Sequence, residues 1–209
     1  YGEKLAAKNE PIEIPSVSVP SPSLLPIKSS SSIPRCYKES DLMVMAQNIA
    51  ALLPGPDKNV IQFIGSRKGE GTSSLVREFA MVSAQHSNKP VLLVEADLMQ
   101  PSQYRAFDIE AKSPLEHVLK EGKALDGVVS QVDKSNLFLA TLSSRVQSAL
   151  TTRTFFNPTD MWKIVREQFS LILIDSSPAS VTADSMALCE TVDGIVLVVE
   201  AEKTRSAVI

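Results

Sequence analysis

The sequence predicts an α/β doubly wound domain with a mostly parallel sheet, and three observations support this class. Strand-like and helix-like segments alternate along the chain from residue 59 onward. The strand-like segments are nearly continuous apolar runs, such as "VLLVEA", which is typical of parallel strands that helices cover on both faces. A glycine-rich loop and several acidic residues directly follow strands, where open α/β sheets bind their ligands.

The elements are predicted in chain order from periodicity and from turn residues. A first helix is predicted over 39–53, because apolar residues recur at helical spacing and "PGP" at 54–56 ends it. The apolar runs predict strands over 59–64, 90–96, 136–142, 170–176 and 193–201. The intervening patterns predict helices over 72–85, 113–122, 124–132, 157–169 and 182–192. The last segment, 202–209, is predicted to begin a further helix, and the last strand to leave an edge that more chain or a partner covers.

The N-terminal part differs in composition from the rest of the chain. Residues 1–35 hold six of the thirteen prolines among many serines, a composition that cannot bury enough apolar surface to offset its ordering entropy. We therefore predict a Pro/Ser-rich linker or docking arm over 1–35 and the α/β domain over 36–209. The net charge of −3 provides no basic field, so nucleic acid is not an expected partner.

The stretch "FIGSRKGEGTSS" is organised as a phosphate-binding loop of the Walker A type between a strand and a helix. Such a loop wraps phosphates with backbone N–H groups at a helix N-terminus, and its Ser or Thr hydroxyl binds Mg²⁺. Thr72 stands where the loop's lysine is expected. The predicted cofactor-binding residues are Ser66, Arg67, Lys68, Gly69, Glu70, Gly71, Thr72, Ser73 and Ser74.

Acidic residues follow two of the predicted strands. Glu95 and Asp97 come at the end of one strand and Asp175 at the end of another. We predict catalytic roles for all three, and a metal site formed by Ser73, Asp97 and Asp175. Each acid taken alone is also compatible with a helix N-cap or a turn. The expected cofactors are ATP or ADP with Mg²⁺ if the site is functional, and none otherwise.

These motifs resemble the cytoplasmic domain of the bacterial tyrosine kinases, a ParA/MinD-like class of P-loop NTPase that acts in capsule and exopolysaccharide synthesis. The family pattern reads roughly "PGEGKS", "DADLRRP" and "IDTPP", and this chain has "KGEGTS", "EADLMQP" and "IDSSP". The resemblance extends from about Glu39 to Arg205. It implies that Ser73 is the Mg²⁺-binding hydroxyl, that Asp175 is the Walker B aspartate, and that Asp97 belongs to an additional acidic motif in which Glu95 replaces the first aspartate.

The chain departs from the family pattern in three places. Thr72 replaces the catalytic lysine, the helix over 39–53 lacks the arginines that help to assemble a ring of subunits, and no tyrosine cluster ends the chain. The main hypothesis is therefore a degenerate regulatory or scaffolding member of the family. It would lie on the cytoplasmic side of the plasma membrane beside a membrane polysaccharide co-polymerase, encoded upstream in the same chain or separately, and could self-associate.

Two alternatives remain open from the sequence. In one, the chain is an active ATP-dependent autokinase or ATPase in which Arg67 or Lys68 supplies the missing charge. In the other, the chain is a positioning ATPase of the ParA/MinD type.

Overall fold

One six-stranded sheet organises the protein in a computed structural model, which describes residues 33, 35–55, 57–119, 125–143, 158–181 and 183–201. Its strands are β1 (Val60–Gly65), β2 (Val91–Ala96), β3 (Ser130–Gln131), β4 (Leu137–Thr141), β5 (Leu171–Ser176) and β6 (Gly194–Val198). They lie in the order β3–β4–β2–β5–β1–β6. Every neighbouring pair is parallel except β3–β4, which confirms the predicted mostly parallel α/β sheet.

Helices connect these strands close to the predicted positions. They are α1 (Glu39–Leu52), α2 (Thr72–His86), α3 (Gln103–Ala106), α4 (Pro158–Arg166) and α5 (Ala183–Cys189), with 3₁₀ helices at Leu115–Leu119 and Leu125–Gly127. Across the described ranges, no helix combines the length and the apolar character needed to cross a membrane. The predicted helix start at 202–209 lies outside the described residues. So does all of the arm except residues 33 and 35, and its boundary with the domain stays a prediction.

The predicted helix over 124–132 is wrong in its second half. The chain makes only a 3₁₀ turn that ends at Gly127, and Ser130 and Gln131 then pair with β4 in antiparallel fashion. Val128 and Val129 between them are buried, and β-branched residues fit a pleated, half-buried surface well. Packing at the sheet edge therefore outweighs the weak helical pattern.

Each face of the sheet carries its own hydrophobic core. Alternate strand residues point to opposite faces. On one face Leu92, Val94, Ile172 and Ile174 pack with Met161, Trp162 and Val165 of α4. On the other face Ile61, Phe63, Leu93 and Leu173 pack with Val76 and Phe79 of α2. Coverage of both faces explains why the strands read as continuous apolar runs rather than as alternating ones.

The parallel arrangement brings the carboxyl ends of β1, β5 and β2 to one edge of the sheet. In the register, Asp175 of β5 lies between Phe63 of β1 and Glu95 of β2. These residues share the face that α2 covers, because Phe63 packs in the α2 core. Two acidic side chains therefore point toward the start of α2.

Candidate functional site

The loop between β1 and α2 has the backbone conformation of a phosphate-binding loop. Gly69 and Gly71 have φ angles of +90° and +83°, in the left-handed region that glycine tolerates at little cost. The 15-residue helix α2 begins directly afterwards, at Thr72. Its first N–H groups have no partner within the helix, and the helix dipole favours negative charge there. The loop and helix start therefore have the features of a candidate anion-binding site.

Hydrogen bonds between residues of the loop stabilise its conformation. The Glu70 carboxylate accepts hydrogen bonds from the Ser66 hydroxyl at 2.8 Å and from the Arg67 backbone N–H at 2.8 Å. A Cβ atom on Gly65 would lie 2.7 Å from the Thr72 hydroxyl oxygen, so the short Thr72 side chain packs over the end of β1. Thr72 thus occupies the lysine position without extending a charge toward a ligand.

Asp175 is the centre of the hydrogen-bond network below the loop. Its side chain is fully buried and accepts hydrogen bonds from the Ser73 hydroxyl at 3.2 Å and from the Gln103 side-chain amide at 2.6 Å. The Gln103 amide also donates to the Ser73 backbone carbonyl at 2.9 Å. The structure therefore places the predicted Mg²⁺ hydroxyl and the predicted Walker B aspartate in direct contact.

The other two acids are held by backbone N–H groups. One oxygen of Glu95 accepts from the N–H groups of Ser102 and Gln103 at 2.7 and 2.6 Å, whereas its other oxygen is buried and has no hydrogen-bond partner in the described structure. Asp97 accepts from the Ser177 hydroxyl at 2.6 Å and from the N–H groups of Met99 and Gln100. Asp97 is thereby fixed at the sheet edge.

Burial raises the pKa values of the two neighbouring acids. It raises the pKa of Glu95 to about 7, with the Asp175 charge adding to the rise and hydrogen bonds from the Gln103 and Ser102 N–H groups opposing it. It raises the pKa of Asp175 to about 6, against hydrogen bonds from Gln103 and Ser73. Acids that titrate near neutral pH inside a cleft are candidates for proton transfer.

A cavity of about 480 Å³ opens above these residues, within the size range of small-molecule sites. Nine of the twelve predicted site residues line it, namely Arg67, Lys68, Gly69, Glu70, Gly71, Thr72, Ser73, Ser74 and Asp97. The remaining three, Ser66, Glu95 and Asp175, are buried behind its wall.

Sequence reasoning missed three side chains of this site. Gln103 links Glu95, Asp175 and Ser73, and Ser177 holds Asp97. Arg77 also lines the cavity. Arg77 follows Ser73 by four residues, a spacing that places two side chains on the same helix face, so the sequence contained a signal for it. Gln103 belongs to no motif, and only the fold brings it to the site.

The oxygen donors at the site fit a bound Mg²⁺ ion. Ser73 and Asp175 present a hydroxyl and a carboxylate side by side, and Mg²⁺ prefers such oxygen ligands together with substrate phosphates. In the described ranges, no group of three or more His, Cys, Asp or Glu side chains could hold a metal ion. An ion here would therefore depend on phosphate oxygens or water for its remaining ligands.

A phosphate loop that joins the first strand to a helix, beside an acidic strand end, defines the fold of a P-loop NTPase. Among curated proteins, the chain is similar to tyrosine-protein kinase YwqD of Bacillus subtilis, with 27% identity over 137 residues that cover 66% of this chain and 57% of YwqD. No family model matches the chain.

Solved structures of kinase domains share the fold. The kinase domain of Escherichia coli tyrosine kinase ETK superposes with a TM-score of 0.68 at 16% identity, covering 81% of this chain and 66% of that one. The VpsO kinase domain superposes with a TM-score of 0.64 at 25% identity, covering 81% and 84%. The resemblance to the bacterial tyrosine kinases that the motifs predict is thereby confirmed.

Proposed function

We propose that this chain is a nucleotide-binding domain of the bacterial tyrosine kinase type that has a regulatory or scaffolding role and little phosphoryl-transfer activity. One observation carries the proposal: the loop keeps the glycine conformations and helix start of a phosphate site, but Thr72 packs against Gly65 where a lysine would extend its charge. Binding of phosphate by backbone N–H groups needs no lysine. Stabilisation of the charge that develops during phosphoryl transfer does need fixed positive groups.

The site residues would have separate roles in binding the nucleotide. The loop and the first turn of α2 would donate N–H groups to the phosphates, and Ser73 and Asp175 would hold Mg²⁺. When bound, Mg²⁺ neutralises phosphate charge. Asp97 and Glu95 are both buried, but Asp97 lines the cavity and Glu95 does not, so Asp97 is better placed to accept a proton from a substrate hydroxyl.

The biological setting follows from the family resemblance. We infer a place in exopolysaccharide or capsule biosynthesis, in the cytoplasm at the inner face of the plasma membrane, with a membrane polysaccharide co-polymerase as partner. The chain spans 57% of the length of the curated relative YwqD that it matches. The proposed partner is either a segment upstream in the same polypeptide or a separate chain. The Pro/Ser-rich composition of 1–35 suits a tether to such a segment.

An active ATP-dependent autokinase is the second candidate. It is favoured by the position of Arg67 and Lys68, which are exposed and line the cavity. If either side chain replaces the lysine, transfer to tyrosine would be retained. The curated relatives with detectable sequence similarity are tyrosine-protein kinases, which makes the ParA/MinD-type alternative weaker.

Calorimetric titration of Mg·ATP and Mg·ADP, combined with a phosphotyrosine assay, tests the proposal. We expect the native chain to bind both nucleotides without forming phosphotyrosine. Thr72→Lys should bind them ~10-fold or more tightly, since a charge-assisted hydrogen bond contributes ~1.5–3 kcal/mol. Thr72→Met, which has similar length and no charge, is the matched control and should not gain affinity.

Two results would contradict the proposal. Phosphotyrosine that the native chain forms, and that Asp175→Asn abolishes, would establish the autokinase instead. Failure of both the native chain and Thr72→Lys to bind nucleotide would show that the loop is not a nucleotide site.

A further inference from the structure

Arg77 brings a positive charge to the cavity from within α2. It lies one helical turn after Ser73 and lines the cavity together with Thr72, Ser73 and Asp97. Its side chain is partly buried, whereas Arg67 and Lys68 are exposed at the loop. Solvent and salt screen an exposed charge much more strongly than a partly buried one. Arg77 is thus the basic side chain whose charge would act most strongly on an anion in this cavity.

Gln103 holds the Arg77 guanidinium in place. Arg77 Nε donates to the Gln103 side-chain carbonyl at 2.8 Å. Gln103 is itself fully buried and fixed through Glu95, Asp175 and the Ser73 backbone. The Arg77 orientation is therefore built into the same network that holds the predicted Mg²⁺ ligands.

The outer nitrogens of the guanidinium remain available for a ligand. In the described part of the chain, Arg77 Nη1 and Nη2 make no hydrogen bond, and no carboxylate lies within ion-pair distance of Arg77. The acids whose field acts on Arg77, namely Asp175, Glu95 and Glu78, lie beyond ion-pair distance and leave these two nitrogens unoccupied in the described part of the chain. The parallel N–H groups of an arginine match two oxygens of a phosphate. A phosphate group is therefore the anion that this arrangement suits.

We propose that Arg77 binds phosphate oxygens of the nucleotide and supplies the contribution to binding affinity, though not to phosphoryl transfer, that Thr72 lacks. This inference rests on the proposed nucleotide binding and adds the residue responsible for it. It differs from relocation of the charge to Arg67 or Lys68, because Arg77 approaches from the helix side of the cavity and is fixed before the ligand arrives. Fixed groups lose less conformational entropy on binding than exposed, flexible ones.

The test compares Mg·ATP affinity in the native chain with that in Arg77→Ala and Arg77→Lys. We expect Arg77→Ala to weaken binding ~10- to 100-fold, the effect of one charge-assisted contact. Arg77→Lys should recover part of the loss. Affinity should also fall less steeply with KCl concentration in Arg77→Ala than in the native chain. Arg105→Ala removes an exposed arginine outside the cavity and should leave binding unchanged.

A double variant distinguishes a purely structural role of Arg77 from a direct contact with phosphate. Arg77 also lies in the electrostatic field of Asp175, Glu95 and Glu78, so its removal can disturb the buried acids rather than a ligand contact. Arg77→Met combined with Glu95→Gln removes one acid together with the cation. Binding that is ~10- to 100-fold weaker in this double variant than in Glu95→Gln alone supports a direct phosphate contact, and equal binding in the two overturns it.

The remaining outcomes distinguish this inference from the proposed function. If the native chain binds Mg·ATP and Arg77→Ala binds it equally well, the inference is wrong and nucleotide binding stands. If Arg67→Ala alone then loses affinity for Mg·ATP, Arg67 is the cation that binds phosphate. If the native chain does not bind and Thr72→Lys does, Arg77 does not replace the lysine. If neither binds, both proposals fail.

Discussion

Glu95 is the residue whose environment conflicts most clearly with its charge. It sits beside Asp175 in the sheet register, it is 1% exposed, and one of its oxygens has no partner among the described residues. Its pKa of about 7 in the fold, against 4.5 ordinarily, means that the folded state holds a proton which the unfolded chain releases. Because the charged form is disfavoured by folding, stability is lost as the pH rises through this interval.

Glu95→Gln should therefore flatten the pH dependence of stability. A pKa of about 7 instead of 4.5 corresponds to a cost of roughly 3 kcal/mol that is complete above pH 7 and absent below pH 4.5. We expect the ligand-free variant to be more stable than the native chain at pH 8, by roughly 2 kcal/mol after allowance for the changed hydrogen bonding. At pH 4.5 only the changed hydrogen bonding remains, so the variant should be less stable than the native chain by roughly 1 kcal/mol. Urea unfolding at several pH values measures the difference.

Glu110→Gln provides the control for this experiment, because it removes one exposed carboxylate far from the acidic pair in sequence. The interpretation is wrong if Glu95→Gln and the native chain lose stability in parallel between pH 4.5 and 7.

At the scale of elements, Glu78 links the segment that precedes α1 to helix α2. Glu78 lies in the middle of α2, is 4% exposed, and accepts hydrogen bonds from the N–H groups of Cys36 and Tyr37 at 2.8 and 3.0 Å. The Tyr37 hydroxyl lies 3.3 Å from the position of a Cβ on Gly71. The chain that leads from the arm into the domain is thus fastened along α2, with its tyrosine against the loop.

Glu78→Ala should release this attachment. Two hydrogen bonds to a carboxylate are lost, and we expect destabilisation of about 2–3 kcal/mol. Amide exchange at Cys36 and Tyr37 should become faster, and mass spectrometry of the exchanged chain measures this directly. Ser40→Ala, at an exposed position on α1, is the control. Unchanged exchange at both amides in Glu78→Ala would show that other contacts hold the segment.

The elements that the sequence predicts are those whose patterns are local. The strands at 60–65, 91–96 and 171–176 are continuous apolar runs, and α2 follows a glycine loop, so each can be recognised without its neighbours. The two-residue strand β3 exists only because β4 lies beside it, and no local pattern marks it. The site divides in the same way: motif residues such as Ser73 and Asp175 are predictable, whereas Gln103 reaches them through the fold.

For the molecule as a whole, one sheet separates two cores. Leu92 and Leu93 are neighbours in sequence, yet each belongs to a different core, because alternate strand residues face opposite sides. At the edge, β6 pairs with β1 alone among the described strands. Its Ile195 and Leu197 side chains are exposed on one face, so the second layer is less complete there than over β2 and β5.

A shared backbone should make the two cores unfold together. The single tryptophan, Trp162, is fully buried on the α4 face and reports on that core by its fluorescence. Leu93→Ala creates a cavity on the α2 face, where Leu93 is fully buried, at an expected cost of about 2–5 kcal/mol. We expect the urea midpoint from Trp162 fluorescence to fall together with the midpoint from circular dichroism, as a cooperative transition requires.

The matched control for this variant is Leu52→Ala, since Leu52 is 78% exposed on α1 and its truncation should change stability by no more than about 0.5 kcal/mol. A lower circular dichroism midpoint with an unchanged Trp162 transition would mean that the two faces unfold separately.

Cooperative unfolding has a consequence for the site, because Asp175 and Glu95 lie on strands that both cores hold in place. Loss of packing on the α4 face would then loosen Asp175 and Glu95 as well.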